Sequence, residues 1–311
     1  MGITFFGLIM KLNIVEDKDF FNRELKIIPD FLKPDENLII AGGFAVHLYL
    51  KYAKEKYGKE NSLDSVNKKF SDIDFFKIKD MNRISSFLFM DSDNLFDIEL
   101  NIGKFILSAS RTSKHANTFQ LGEKSKAKGY LYEKSPIVVQ GVKYYYEDIE
   151  SMFSNFDLNI CQIAISNNSF IFTDEFKNCI DNSIITTSKK EVFSFENEMS
   201  SLMFHSLRAL KYSMRLDFKF DKFLSDFMMD LFVESEKLPP SYWCKDDEIF
   251  TGLYRTTTER GRTKINYEQF CSCSSFVFKY ITSSKEKISF LINSENYYLK
   301  LNSINFLKNH N

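Results

Sequence analysis

Leu38 to Tyr57, LIIAGGFAVHLYLKYAKEKY, constrains the fold more than any other stretch of the chain. A four-residue apolar run stops at Gly42-Gly43, and apolar residues then recur at helical spacing. Such an order predicts a buried strand, a glycine turn and a helix. Bare amides at a helix N-terminus attract anions, and glycine lets a phosphate come close. A tight strand-to-helix turn also needs glycine for its own geometry, so the stretch by itself carries both readings.

The next strong pattern, SDIDFF at Ser71 to Phe76, lies in a segment, Asp72 to Ile78, whose alternation and Ile and Phe content predict a strand. Alternation sends Asp72 and Asp74 to one face and Ile73 and Phe75 to the core. Two neighbouring carboxylates repel and raise each other's pKa unless a positive charge sits between them, a task a divalent cation performs with oxygen ligands. Asp-x-Asp is also common at exposed strand ends, so the pair needs company before it is a site.

That company comes from two places. In FDLNICQIAI, Asp157 stands near the start of an apolar run read as a strand over Phe156 to Ile165. If that strand lies beside the Asp72 strand, three carboxylates converge, as two divalent ions about 3.5–4 Å apart require for in-line displacement at phosphorus; otherwise Asp157 caps the strand or pairs with a Lys. In SLMFHSLRALKYSMRLDF, Arg208, Lys211 and Arg215 recur at helical spacing opposite the apolar face. Across a cleft from the acids they would neutralise phosphates; as a plain surface row they are only solvated.

The rest of the chain sorts around these motifs. Helical spacing over Asp17 to Leu32 ends before Pro34, and Lys54 to Lys69 reads as a helix end and surface loop. Asp80 to Leu107 is helical and mixed, with Asp91, Asp93, Asp97 and Glu99 on a solvated face. Strand patterns follow at Asn117 to Leu121, Gly129 to Tyr132, Ile137 to Tyr146 and Ser169 to Phe172, and one mixed sheet would collect them. The polar stretch Thr173 to Lys190 marks a boundary. Beyond it, Met199 to Met214 and Phe223 to Phe232 show two amphipathic helices closed by Pro239-Pro240. The predicted organisation is α+β, a mixed sheet over residues 1–180 flanked by helices, then a mostly helical C-terminal domain over 190–311.

Composition limits the partners. The 311 residues are 44% hydrophobic and carry 41 basic against 42 acidic side chains, so no global field recruits a polyanion and any nucleic acid must meet a local patch. Arg255, Arg260, Arg262 and Lys264, near Tyr254 and Tyr267, form the best such patch for RNA; a solvated loop is the equal alternative. Cys161, Cys179, Cys244, Cys271 and Cys273 are odd in number and fit a reducing compartment. Cys271 and Cys273 make at most a zinc half-site, so these thiols read as buried. The run Ile3 to Met10 is too short to span a bilayer and lacks the basic start and small-residue cleavage site of a signal peptide; the chain is read as cytoplasmic, with no membrane partner.

Taken in order, Gly42-Gly43 at a strand-to-helix turn, Asp72 and Asp74 in SDIDFF, Asp157 in FDLNIC and the later helix HSLRALKYSMRLDFKF resemble the DNA polymerase β-like nucleotidyltransferase superfamily, phage and large-DNA-virus members in particular. The resemblance covers about residues 37 to 215, and its gap from Gly43 to Asp72 is longer than in compact members. It implies a nucleotidyltransferase palm that moves a nucleoside monophosphate from an NTP to an acceptor hydroxyl and releases pyrophosphate. By the same resemblance Asp72, Asp74 and Asp157 hold two Mg²⁺ ions, with Mn²⁺ as an alternative. Gly42, Gly43 and Ser71 would then meet phosphate, Lys211 and Arg208 would bind the triphosphate, and Asp157 would help deprotonate the acceptor. RNA or tRNA 3′ ends are the favoured acceptors; nucleotidylation of a protein or small molecule, and an inactive scaffold, stay open.

Overall fold

The computed structural model describes residues 10–58, 72–78, 84–90, 99–112, 115–125, 136–197, 199–216, 218–236, 256–259 and 262–265. The chain falls into two units, Met1–Phe156 with Ile160–Asn178, and Asp157–Asn159 with Cys179–Asn311.

The first unit holds β1 (Leu12–Glu16), α1 (Lys18–Glu24), β2 (Leu38–Ala41), α2 (Gly43–Tyr57), β3 (Asp72–Ile78), β4 (Glu99–Ile102), β5 (Phe105–Thr112), β6 (Ala116–Glu123) and β7 (Ile137–Tyr146). It continues through α3 (Ile149–Ser154), β8 (Ile163–Ser166), β9 (Ser169–Thr173) and the start of α4 (Asp174–Asn182). All nine strands join one sheet in the order β1-β9-β8-β2-β3-β7-β6-β5-β4. Strands β3 and β7 run parallel and the other neighbours antiparallel, so the sheet is mixed and the architecture α+β.

Burial explains why each sequence pattern chose its place. All four residues of β2 are fully buried, as a continuous apolar run demands of a strand covered on both faces. On β3, Ile73 and Phe75 are buried while Asp72 and Asp74 are half-buried, so the alternation holds. Beneath this part of the sheet runs a 3₁₀ turn, Ile84–Phe89. It packs so closely that a Cβ on Gly141 of β7 would lie 2.2 Å from the Leu88 carbonyl oxygen, and Asn117 of β6 donates to the carbonyls of Leu88 and Met90 at 3.0 and 2.9 Å. The opposite face, carrying Asp72, Asp74, Gln140, Thr118 and Gln120, stays half-exposed.

At the other end of the sheet, Phe20 and Phe21 of α1, Tyr49 and Tyr52 of α2, Phe170 of β9 and Phe176 of α4 form an aromatic cluster, with Phe21 and Phe170 centroids 4.6 Å apart. The predicted helix over Asp17 to Leu32 is shorter than its spacing suggests. Asp17 caps α1 by accepting from the Phe20 amide, but the helix gives way to 3₁₀ turns at Leu25–Ile27 and Asp30–Leu32. Pro29 is the reason: it excludes helical geometry from Ile28, which is extended at φ −94° and ψ 122°.

A second difference bears on the site. The strand expected over Phe156 to Ile165 begins only at Ile163; before it the chain bends and makes a 3₁₀ turn, Asn159–Cys161. Strand β8 pairs with β2 and β9, and β2 separates it from β3. The segment cannot extend a ladder because its polar groups are bound elsewhere: the Asn159 amide donates to the Thr186 carbonyl at 2.9 Å, and Thr187 Oγ1 to the Asp157 carbonyl at 2.7 Å.

The second unit contains β10 (Ile184–Ile185), α5 (Met199–Leu216), β11 (Lys219–Phe220), α6 (Lys222–Glu236), β12 (Thr256–Glu259) and β13 (Arg262–Ile265). Strands β10 and β11 pair in parallel, and β12 and β13 form an antiparallel hairpin. Helices α5 and α6 sit where the sequence predicts them, around Phe193, Leu202, Ala209, Tyr212, Leu224, Phe227 and Met228. Cys161 and Cys179 are buried; Cys244, Cys271, Cys273, the loop to Lys69, and the strand Gly129 to Tyr132 lie outside the described residues. Among the described residues no helix is long and apolar enough to cross a membrane.

Candidate functional site

The glycine turn and the acidic strand, two motifs separated in sequence, adjoin in the fold. Strand β2 ends at Ala41, which pairs with Asp74 of β3. Gly42 then adopts φ 75° and ψ −147°, a conformation open essentially to glycine alone, and α2 begins at the next residue. A methyl group at position 42 would stand 3.2 Å from Asp74 Oδ2. The backbone therefore requires glycine here, and the carboxylate makes any larger residue tighter still. Gly42 has no side chain to cap the helix, and its carbonyl accepts from the Val46 amide at 3.1 Å.

Asp72 and Asp74 occupy alternate positions on β3, both on the half-exposed face. Their neighbours across the sheet are uncharged: Ala41 and Gln140 flank Asp74, and Val138 is opposite Asp72. Gln140 Nε2 donates to Thr118 Oγ1 at 3.4 Å. Paired carboxylates on one strand face are the oxygen ligands a hard cation such as Mg²⁺ would take, and Asp72 and Asp74 are the residues that would hold it. Among the described residues no group of three or more His, Cys, Asp or Glu side chains is gathered closely enough to hold a metal ion.

Asp157, the third acid of the sequence reading, belongs to the second unit and is buried, at 4% exposure. Its Oδ2 lies 2.9 Å from His205 Nδ1, which donates because an ionised carboxylate only accepts. Its Oδ1 lies 3.1 Å from Arg208 Nη1. That approach is not aligned as a hydrogen bond, so attraction at Oδ1 is by charge. Burial pushes the Asp157 carboxyl up, but the Arg208 charge and the His205 contact outweigh it and hold the group below its ordinary value. His205 and Arg208 are three residues apart on α5 and so share a face.

Of the residues singled out in the sequence, Gly42, Gly43, Asp72 and Asp74 come together in the first unit, and Asp157 meets Arg208 in the second. Lys211 lies on α5, but its side chain is outside the described residues, as are Ser71, Arg255 and Arg260. Arg262 and Lys264 lie on β13, their side chains likewise outside. Sequence reasoning missed His205, although its place one turn before Arg208 was a signal, and missed Gln140, which only the strand register reveals.

The sheet of the first unit is also what a known family shares. The family model described as Gad2, Gabija anti-defense 2 family protein, matches residues 13–182, from β1 to the end of α4 and more than half of the chain. The chain belongs to the Gabija anti-defense 2 family. Gly42, Gly43, Asp72, Asp74 and Asp157 all fall within the Gad2 match, and α5 falls beyond it. No curated protein matches the chain. Similar solved structures include a Bacillus stearothermophilus CCA-adding enzyme in complex with CTP, at 16% identity and TM-score 0.40, over 72% of this chain and 46% of that one. A tRNA-processing enzyme in an apo form matches at 11% identity and TM-score 0.37, over 80% and 61%. A tRNA nucleotidyltransferase complexed with a primer tRNA and an incoming ATP analogue matches at 12% identity and TM-score 0.34, over 68% and 54%. The chain spans about half the length of these structures.

Proposed function

We propose that this Gabija anti-defense 2 family protein is a Mg²⁺-dependent nucleotidyltransferase that acts against Gabija defence by placing a nucleoside monophosphate on an acceptor hydroxyl. The observation that carries the reading is the adjacency of the two motifs: Asp74 Oδ2 stands 3.2 Å from where a Cβ on Gly42 would be, at a turn whose φ of 75° itself calls for glycine. A strand-to-helix turn that opens on glycine thus stands beside two carboxylates on one strand face, a pairing suited to a triphosphate and its cation.

In this reading the first-turn amides of α2 receive the outer phosphates, and Gly42 and Gly43 leave room for them. Asp72 and Asp74 hold the cation, and bound Mg²⁺ would offset charge on the phosphates and on the departing pyrophosphate. Arg208 and Lys211 contribute to triphosphate binding as the sequence resemblance implies. Membership of an anti-defence family favours, as acceptor, a hydroxyl on a macromolecule the defence depends on, over general tail addition to RNA 3′ ends.

The test is to incubate the purified chain with Mg²⁺ and each α-labelled NTP in lysates of cells with and without the Gabija system, beside the Asp74→Ala chain. Label in a protein band that needs the defence system and the intact Asp74 supports the reading; label confined to RNA moves the acceptor to RNA 3′ ends. Absence of label everywhere, or anti-defence activity intact in the Asp74→Ala chain, refutes transfer and leaves a scaffold.

A further inference from the structure

We infer that Asp157 is the positioning carboxylate of α5, holding Arg208 and His205 in place, and that it is not a ligand of the metal held by Asp72 and Asp74. The inference rests on the proposed nucleotidyl transfer for its mention of a metal, and on geometry for the rest.

Asp157 Oδ2 accepts from the His205 ring at 2.9 Å, and Oδ1, which has no aligned hydrogen-bond donor, faces the Arg208 guanidinium at 3.1 Å and is held by its charge. A divalent cation on either oxygen would stand next to a permanent positive charge, and the buried setting would screen that repulsion poorly. The backbone on each side is pinned as well. Thr187 Oγ1 donates to the Asp157 carbonyl at 2.7 Å, Asn159 Nδ2 to Thr186 Oγ1 at 2.8 Å, and the Ser188 amide to Asn159 Oδ1 at 3.0 Å. The corner is built to hold a carboxylate still against α5.

Arg208 and His205 remain partly exposed, with side-chain exposures of 32% and 20%. Asp157 therefore fixes, from within, a guanidinium that reaches the surface, and the chemistry Arg208 suits is an anionic oxygen of a nucleotide. Its influence on catalysis runs through Arg208, by orientation.

The experiment uses the full chain and four variants: Asp74→Asn, Asp157→Asn, Arg208→Ala, and Asp157→Asn with Arg208→Ala. Mn²⁺ alone is titrated in by electron paramagnetic resonance. Asp74→Asn should weaken Mn²⁺ by about tenfold or more, and Asp157→Asn by less than about twofold. In turnover, Asp157→Asn and Arg208→Ala should each raise KM for the nucleotide by a similar factor with kcat less affected, and the double variant should add nothing further. Equal loss of Mn²⁺ affinity in Asp157→Asn and Asp74→Asn overturns the inference. A wild-type chain that binds no Mn²⁺ sinks the transferase reading instead, and thermal unfolding then decides this one: the double variant should melt no lower than the worse single variant, and additive losses overturn the inference. Should Asp157→Asn fail to fold, the neutral pair Asp157→Asn with Arg208→Gln should fold again; if it does not, the pairing is not what Asp157 supplies.

Discussion

Gly42→Ala is the perturbation whose cost the structure sets most narrowly. An alanine forced to φ 75° and ψ −147° is strained by about 1–3 kcal/mol. Its Cβ would also stand 3.2 Å from Asp74 Oδ2, a few tenths of an ångström too close, and turning the Asp74 side chain away costs about 0.5–1.5 kcal/mol. Together the loss is about 2–4 kcal/mol, well short of unfolding a domain stable by about 5–15 kcal/mol. At about 2–4 °C per kcal/mol for a domain of this size, the melting temperature should fall by roughly 4–16 °C. Calorimetry on the single variant gives the total. Repeating the substitution in an Asp74→Ala background should recover only the steric share, about 0.5–1.5 kcal/mol, because the backbone strain persists. A loss below about 0.5 kcal/mol, or no coupling between the two positions, refutes the adjacency of turn and carboxylate.

Gly141→Ala should be more damaging than Gly42→Ala, since the new Cβ would meet the Leu88 backbone oxygen at 2.2 Å and neither strand nor turn can yield cheaply; urea unfolding should show a loss of about 3 kcal/mol or more. Asn117→Ala leaves the buried Leu88 carbonyl and the part-buried Met90 carbonyl without their donor and should cost about 1–3 kcal/mol by the same assay. The Asp157 carboxyl is held below its ordinary value in the folded chain, so the unfolded chain takes up that proton first as pH falls. Its stabilisation is complete above about pH 4 and disappears as pH drops through the folded value, and Asp157→Asn should flatten that limb of a stability-against-pH curve.

How much of this could be read from the sequence depends on how local the governing interaction is. Strands β2, β3 and β7 and helix α2 sit where their patterns predict, because each is defined by its own run or periodicity, with glycine marking the end of β2 and both ends of α2. The alternation on β3 was equally legible, since a period of two needs no knowledge of neighbours. Asp157 was not: its run of apolar residues looks like a strand, and only contacts with Thr186, Thr187 and Ser188, about thirty residues away, make it a bend. Neither was Gln140, whose place beside Asp74 follows from the parallel pairing of β3 with β7. Helix α1 shows the opposite failure, a pattern that continues past the point where Pro29 stops the backbone from following it.

The central claim is that this chain transfers a nucleoside monophosphate through Asp72 and Asp74. The most direct measurement supplies the purified chain and its acceptor with Mg²⁺ and one NTP carrying the label either on the α or on the γ phosphate. The account predicts that the α label becomes covalently attached, that the γ label leaves as pyrophosphate in equal amount, and that Asp72→Asn and Asp74→Asn each abolish both. Attachment of the γ label, or undiminished transfer in either variant, would contradict it.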